Sequence, residues 1–425
     1  MAVERDSRTF KQASSLARLG YRSMVVEGEQ SALDRGDLAF ELITIPGAAP
    51  SWGSPTPRAG SDGAPAEGPA AATDPALAAA SPPAEERVDP VRRVWRRWRL
   101  YKNRQIVRMK AVVYPLRWHL SWNRTAYRSL PAADLLILHG YSLAPAVLMR
   151  AARSRTPLSY DAHDAYFEIA PSRSRLTMGG RSWALVERLC VRFAKQFVTV
   201  SHGVARVLEE RFGRRPTVIR NCHDLRLDEP AGRKLRDAAG LGDEQFLLVS
   251  IGNNKAGMEV ESALRALTQL DDDVHLAFVG RGHEPTRELA ERLGVANRVH
   301  LVGHVPPTEV TAFVAGADAA AVLYRPLTRS YESALPNGFF QGLGAGLPTL
   351  YPTGLPELAA LAHSHQLGLP IDPTQARSIA DGVERMRSDR EMRQRFRENA
   401  RRAREDESWE QEERLLAELA SSALS

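Results

Sequence analysis

Three glycine-punctuated turns in the second half of the chain carry residue types suited to holding an anion. "IGNNKAG" (251–257) ends an apolar run with small and amide residues and then Lys255; "GRGHEP" (280–285) ends another with two glycines around Arg281. The third lies within "YESALPNGFFQGLGAGLPTLYP" (331–352), where "ALPNG" leads into a helical "FFQGLGAG". Glycine lets a backbone approach a ligand closely, a helix start offers unpaired amides, and a fixed cation adds charge. Gln341, about one turn inside that helix, has both a donor and an acceptor for a hydroxyl. Each loop alone reads equally as an ordinary turn; their recurrence on one face of one domain argues for a ligand. In the first half, "YDAHD" places Asp161, His163 and Asp164 at the end of an apolar strand, the position from which side chains line a crevice.

The elements that must position these residues alternate between helix and strand. "SRTFKQASSLARLGY" has a Ser or Asp cap, apolar positions at helical spacing and a closing Gly20, and "SMVVEG" follows as a strand. Then come strand "DLLILHG", helix "SLAPAVLMRAARSR", strand "LSYDAHD", helix "SWALVERLCVRFAKQ" and strand "FVTVS". After "TVIRNCHDLRLDEP" the alternation restarts with "FLLVSIGN" and continues through "VHLAFVGRG", "VHLVGHV", "AAAVLYRP" and "LPTLYP". Strands apolar on both faces and separated by helices predict an α/β chain with two doubly wound parallel sheets facing across a cleft. One strand is missing from the pattern. A doubly wound domain opens on a central strand, yet the first helix begins about six residues after Met1, so we expect a gap in the first sheet or another segment filling it, and a true start upstream.

The chain has 425 residues, enough for two domains of ordinary size, with 57 Lys and Arg against 51 Asp and Glu (net +6). Cys190 and Cys222 are its only cysteines, too few for a disulfide framework or a cysteine-based zinc site, which fits a reducing cytoplasm. No apolar run reaches the roughly 18 residues of a membrane span. Between Gly47 and Pro83, 31 of 37 residues are Gly, Ala, Pro, Ser or Thr, and residues 47–90 read as a disordered insertion. From Pro90 to Leu130 there are twelve Lys or Arg, no acidic residue and four of the seven tryptophans. Val91, Val94, Trp98, Tyr101, Met109 and Val112 recur at helical spacing, so residues 91–128 read as a basic amphipathic region. It suits an anionic membrane surface, with Trp95, Arg96, Arg97 and Trp98 as the contacts. A helix packed on its own domain accounts for the pattern as well; nucleic acid is not an expected partner.

Nine strings match, in order, a known pattern: "RDSRTFKQASSLARLGY", "YDAHD", "FVTVSHGVARVL", "VIRNCHD", "VHLAFVGRG", "RVHLVGHVPPTEV", "ADAAAVLY", "LPNGFFQGLGAGLPTLY" and "SWEQEERLLAEL". Through them the chain resembles glycosyltransferase family 4, whose members have the GT-B fold. The likeness extends over nearly all of the chain outside residues 47–90. It implies an acceptor-side domain from 1 to 224, a nucleotide-sugar domain from 225 to 405, and a final helix, 406–425, packing back on the first domain. It also implies a retaining transferase that needs no metal or other cofactor. Such an enzyme moves a sugar from a nucleoside-diphosphate sugar to a saccharide or lipid-linked acceptor, in cell-surface polysaccharide or glycolipid synthesis, from the cytoplasm or the inner face of the membrane.

Residue by residue, the resemblance puts His163 at the donor sugar. Lys255, with Gly252 and the amides of Asn253 and Asn254, faces the diphosphate, and Arg281 is a second phosphate group. The segment from His304 through Val305 holds the base, and Pro336, Asn337, Gly338 and Phe339 lie under the diphosphate and sugar. The last motif commonly reads Pro-Asn-Lys-x-Phe-Glu; here "PNGFFQ" has Gly338 for the lysine and Gln341 for the acid. The first of two glutamates eight residues apart in relatives falls on Ser333, next to Glu332. Two alternatives stay open: a catalytically weak nucleotide-sugar-binding or scaffold protein, and a sugar-nucleotide epimerase, which would need acid–base carboxylates from among Asp161, Asp164, Glu168 and Glu332.

Overall fold

The computed structural model describes residue 3 and residues 6–31, 33–46, 121–168, 178–227 and 232–425. The expected insertion, and the basic region up to residue 120 with Trp95, Arg96, Arg97 and Trp98, lie outside the described residues. The chain divides into two compact units, one of Met1–Gly47 with Asn123–Ser425 and the other of Ala48–Trp122. All strands among the described residues belong to the first unit.

The N-terminal half of that unit opens with the helix Ser7–Arg18, started by Asp6, whose side chain accepts from the Thr9 amide. Strand β1 (Met24–Glu27) pairs in parallel with β2 (Glu41–Thr44), and these two form a sheet of their own. A two-stranded sheet is marginal in isolation. This one is held by Val25 and Phe40 packed with Val3 and with Phe10 and Ala13 of the first helix, and by the Val3 amide donating to Glu27 Oε2 at 3.1 Å. The main N-terminal sheet has four parallel strands in the order β3 (Leu136–His139), β4 (Leu158–Ala162), β5 (Gln196–Thr199), β6 (Thr217–Val218). Among the described residues no ladder joins it to β1–β2, so the two sheets are separate, as a gap in the first sheet requires.

The C-terminal half holds six parallel strands: β7 (Phe246–Ile251), β8 (Val274–Val279), β9 (Val299–Val302), β10 (Ala319–Ala321), β11 (Thr349–Pro352) and β12 (Gly368–Ile371). Across the sheet their order is β12-β11-β10-β7-β8-β9. Every residue of β7 and β8 is buried, which is why these segments are apolar without alternation. Strand order reverses between β7 and β10, and in such sheets the crevice for a ligand opens beyond the carboxyl ends of the strands at that point. The loops after β7 and β8 and the start of the helix Asn337–Gly344 all lie there.

The last helix, Trp409–Leu424, leaves this half and covers the four-stranded sheet. Trp409 is fully buried among Val198, Ile219 and Leu416, and its Nε1 donates to Ser15 Oγ at 2.9 Å. Gln196 and Lys195 donate to the carbonyls of Leu419 and Ala423. No helix among the described residues is long and apolar enough to cross a membrane.

Candidate active site

The loops after β7 and β8 form one wall. Gly252 and Gly280 both have positive φ (137° and 149°), and a Cβ on Gly280 would lie 2.3 Å from the Gly252 carbonyl oxygen, so a side chain there would separate the loops. The Arg281 amide donates to Asn253 Oδ1 at 2.9 Å and the Asn254 amide to the Arg281 carbonyl at 2.8 Å. His283 Nε2 meets the Gly252 carbonyl at 2.9 Å, and Tyr324 donates its hydroxyl to the Asn253 carbonyl at 3.1 Å. Lys255 is exposed and rests over the rings of Tyr324 and Tyr331, 5.1 and 5.7 Å from their centroids, which holds its charge in place by ring contacts.

The helix Asn337–Gly344 presses its first turn onto the end of β7. A Cβ on Gly338 would be 2.2 Å from the Ile251 carbonyl oxygen, which explains glycine where related motifs have lysine. Gly252 to Lys255, Arg281 and Pro336 to Gly338 are therefore brought together. Gln341 is half-buried one turn further along. Exposed His304 and half-buried Val305 follow β9, one strand beyond β8. Phe339 is a correction to the expected set: helical spacing turns it inward, where it is 1 % exposed and meets Phe340 edge-on, and its amide donates to the Pro336 carbonyl. The Ser333 carbonyl accepts from Ser201 Oγ at 2.7 Å across the junction with the N-terminal half.

On that facing half the expected Asp161 is likewise corrected. It does not line the crevice: at 1 % exposure it accepts from Arg8 Nε at 2.8 Å, Arg8 Nη2 at 3.0 Å and Gln12 Nε2 at 2.7 Å. Burial alone would raise its pKa, but Arg8, His163 and His139 outweigh it and hold the carboxylate well below its usual range. His163 is half-buried above this pair, its Nε2 3.1 Å from His139 Nδ1. Burial pushes His139 down to about 4, so it is neutral at pH 7. His139, Asp161 and His163 present two nitrogens and an oxygen within 4.8 Å of one another. The Arg8 guanidinium already bonds both Asp161 oxygens, and a metal ion would have to displace it.

Contacts between the halves close the mouth. Asp164 is raised by burial and pulled back by Lys255 and His163, which places the lysine and the imidazole around one carboxyl. Asn221 Nδ2 donates to Asn337 Oδ1 at 2.8 Å and to Ser7 Oγ at 3.0 Å, tying the first helix to the Pro336 turn. The Ala165 amide donates to Ser330 Oγ at 3.3 Å. Sequence reasoning missed Arg8 and Tyr324, whose roles depend on strands far away in the chain. It also missed His139, although "LILH" ends β3 as "YDAHD" ends β4.

Comparison with known proteins agrees with this architecture. Residues 76–227 match the family model Glycosyltransferase Family 4, and residues 233–403 match Glycosyl transferases group 1. No curated protein matches in sequence. Among solved structures, HepE of Anabaena in complex with UDP and glucose is 17% identical over 97% of this chain and 95% of its own, with a TM-score of 0.63. WaaG, a glycosyltransferase involved in lipopolysaccharide biosynthesis, is 18% identical over 97% and 95%, with a TM-score of 0.60. A glycosyltransferase from Rickettsia africae ESF-5 is 14% identical over 100% and 95%, also at 0.60. At these identities the structural likeness bears on the fold. The two family matches lie end to end on the two halves that form the crevice, and the chain accordingly belongs to the family 4, group 1 glycosyltransferases of GT-B fold.

Proposed function

We propose that the protein is a metal-independent, retaining glycosyltransferase that takes a sugar from a nucleoside-diphosphate sugar and passes it to a saccharide or lipid-linked acceptor. The observation that carries this reading is the single wall made by 252–255 and 280–283, set beside the first turn of Asn337–Gly344 and facing His163 and Asp164. Amides at a helix start and a lysine held by two tyrosine rings supply positive potential for a diphosphate without a divalent ion. Arg281 adds a second cation at the same wall. His163, kept in place by His139, is set to meet a sugar hydroxyl.

In the transfer, the bond from the anomeric carbon to the diphosphate oxygen breaks and a bond from the same carbon to an acceptor hydroxyl oxygen forms on the same face. The hydroxyl proton passes to the departing diphosphate, so no protein nucleophile is required. The UDP and glucose carried by HepE make UDP-sugars the first donors to try. Asp161 is unsuited to the acid–base work of an epimerase, since Arg8 and Gln12 already hold its oxygens.

The test is donor turnover with a panel of nucleoside-diphosphate sugars in the presence of a chelator, scored by nucleoside diphosphate released and by the configuration of the product. Release that resists chelation and retains configuration supports the proposal. Binding without release would assign a nucleotide-sugar-binding role, and metal-dependent release would overturn the metal-independent reading.

A further inference from the structure

Two aspartates stand close together at the end of β4, and their surroundings differ in kind. Asp161, inside the strand, has three donors on its oxygens from Arg8 and Gln12. Asp164, in the turn that follows, is half-buried, and among the described residues its carboxyl has no hydrogen-bond or ion-pair partner. The other carboxyls near the mouth are satisfied. The amide and hydroxyl of Thr9 donate to Asp6, the amides of His202 and Gly203 donate to Glu357, Glu210 is paired with Arg329, and Glu332 is exposed to water. A carboxyl drawn out of water without donors is destabilising, so one kept at a crevice calls for donors that a ligand brings.

The backbone fixes where this carboxyl stands. The Asp164 carbonyl accepts from the Tyr166 amide at 3.0 Å, which closes the turn, and the amide of fully buried Ala165 reaches Ser330 Oγ of the C-terminal half. Tyr166 meets Tyr141 edge-on, with ring centroids 4.8 Å apart. Asp164 is thereby held within electrostatic reach of His163 on its own half and of Lys255 and Tyr331 on the other. Lys255 rests on the rings of Tyr324 and Tyr331 and, like Asp164, has no hydrogen-bond or ion-pair partner among the described residues. The ammonium and the carboxyl attract one another across the junction without making an ion pair.

These two unused groups suit different parts of one ligand. A diphosphate offers negative charge and acceptors, which fit Lys255 and are repelled by Asp164. A sugar ring offers hydroxyl donors, and the two oxygens of a carboxyl can accept from a neighbouring pair of them at once. The groups around Asp164 are the ones that face the donor's diphosphate and sugar in the transferase reading, on which this inference rests. We propose that Asp164 binds the sugar ring of the donor, its carboxyl oxygens accepting from two adjacent ring hydroxyls. The donor class that follows is a neutral sugar with a free vicinal pair of hydroxyls, since an acid group set against Asp164 would be repelled.

Titration calorimetry on the full chain, with nucleoside diphosphates and their neutral hexose conjugates and beginning with UDP and UDP-glucose, tests the assignment. The wild type should bind its matching conjugate more tightly than the bare diphosphate. Asp164→Asn and Asp164→Ala should weaken the conjugate by about tenfold or more and leave the diphosphate within about twofold. Without ligand, the melting temperature of both variants should hold or rise, because a half-buried charge with no protein partner is removed; a fall would make Asp164 a structural residue and overturn the proposal. It is overturned as well if Asp164→Asn changes both ligands equally, which would leave Asp164 acting only on the charge of Lys255, or if it changes neither. A raised acceptor KM with donor binding unchanged would set the acceptor against Asp164 and overturn the assignment to the donor. A wild type that binds no conjugate more tightly than its diphosphate overturns it too. Failure of the transferase reading is distinguishable, since the wild type would then release no nucleoside diphosphate from the conjugates it binds, whatever stands at position 164.

Discussion

Lys11 and Gly338 are under opposite constraints, one electrostatic and one steric. Lys11 is buried where the first helix meets the Cys222 carbonyl and the Trp409 ring, 4.9 Å from the ring centroid, and burial pushes its pKa down to about 7. The unfolded chain, with an ordinary lysine near 10.4, binds more protons between those values, so stability rises with pH from about 7 to about 10. Lys11→Met should remove that slope, at most about 1.4 kcal/mol per pH unit, in urea unfolding measured across the range. His139 and Asp161 act at the acid end. Both are depressed in the folded state, so their stabilisation is complete above their unfolded values and is lost as pH falls, through about 4 for His139 and lower still for Asp161. For Gly338 the obstacle is backbone, the Ile251 carbonyl 2.2 Å from any Cβ. Gly338→Lys, though it restores the common family motif, should cost about 1–3 kcal/mol of stability and lower donor affinity; unchanged urea unfolding would show that the helix shifts freely.

At the level of elements, the helix His202–Phe212 meets the C-terminal half at its positive end. Glu357 Oε1 and Oε2 accept from the amides of His202 and Gly203 at 2.9 and 2.6 Å, a carboxylate from one half capping a helix of the other. Glu357→Gln keeps the shape and removes the charge. It should weaken the junction by about 1 kcal/mol, roughly fivefold in the ratio of parted to joined halves. Small-angle scattering would detect this as a larger radius of gyration, and an unchanged curve would confine Glu357 to local capping. Neither Glu357 nor its partners stand out in the sequence, because a helix N-terminus already capped by Ser201 gives no sign of an acceptor more than 150 residues away. Elements made by local pattern were legible: the apolar strands β7 and β8, the helix begun by Asp6, and the turn at Pro336. Short β2 and β12 were not, since four residues of mixed burial resemble a loop until a neighbouring strand pairs with them. The same limit applied at the site. Glycines and Lys255 could be recognised from spacing, whereas the inward turn of Phe339 and the Arg8–Asp161 pair depend on tertiary packing.

For the whole molecule, the proposed donor site requires binding and folding to be linked. A nucleotide that binds the mouth between two halves stabilises the folded chain by mass action, about 2.7 kcal/mol at a hundred times its dissociation constant. A panel of nucleoside-diphosphate sugars should therefore produce a concentration-dependent rise in melting temperature for the matching base and little for the rest. Because Lys255 and main-chain amides supply the positive charge in this reading, a chelator should leave the rise intact. Lys255→Ala should reduce it, since the lysine is held by ring contacts and its loss leaves the loops joined by the Arg281 amide to Asn253 Oδ1 and the Asn254 amide to the Arg281 carbonyl. Arg281→Ala should act in the same direction without disturbing those bonds, which use the arginine backbone. If both variants retain the full rise, the anion is held elsewhere and the diphosphate does not lie against this wall. If the rise vanishes with the chelator, a metal carries the charge, and His139, Asp161 and His163 become the ligands to examine, with Arg8 displaced from Asp161.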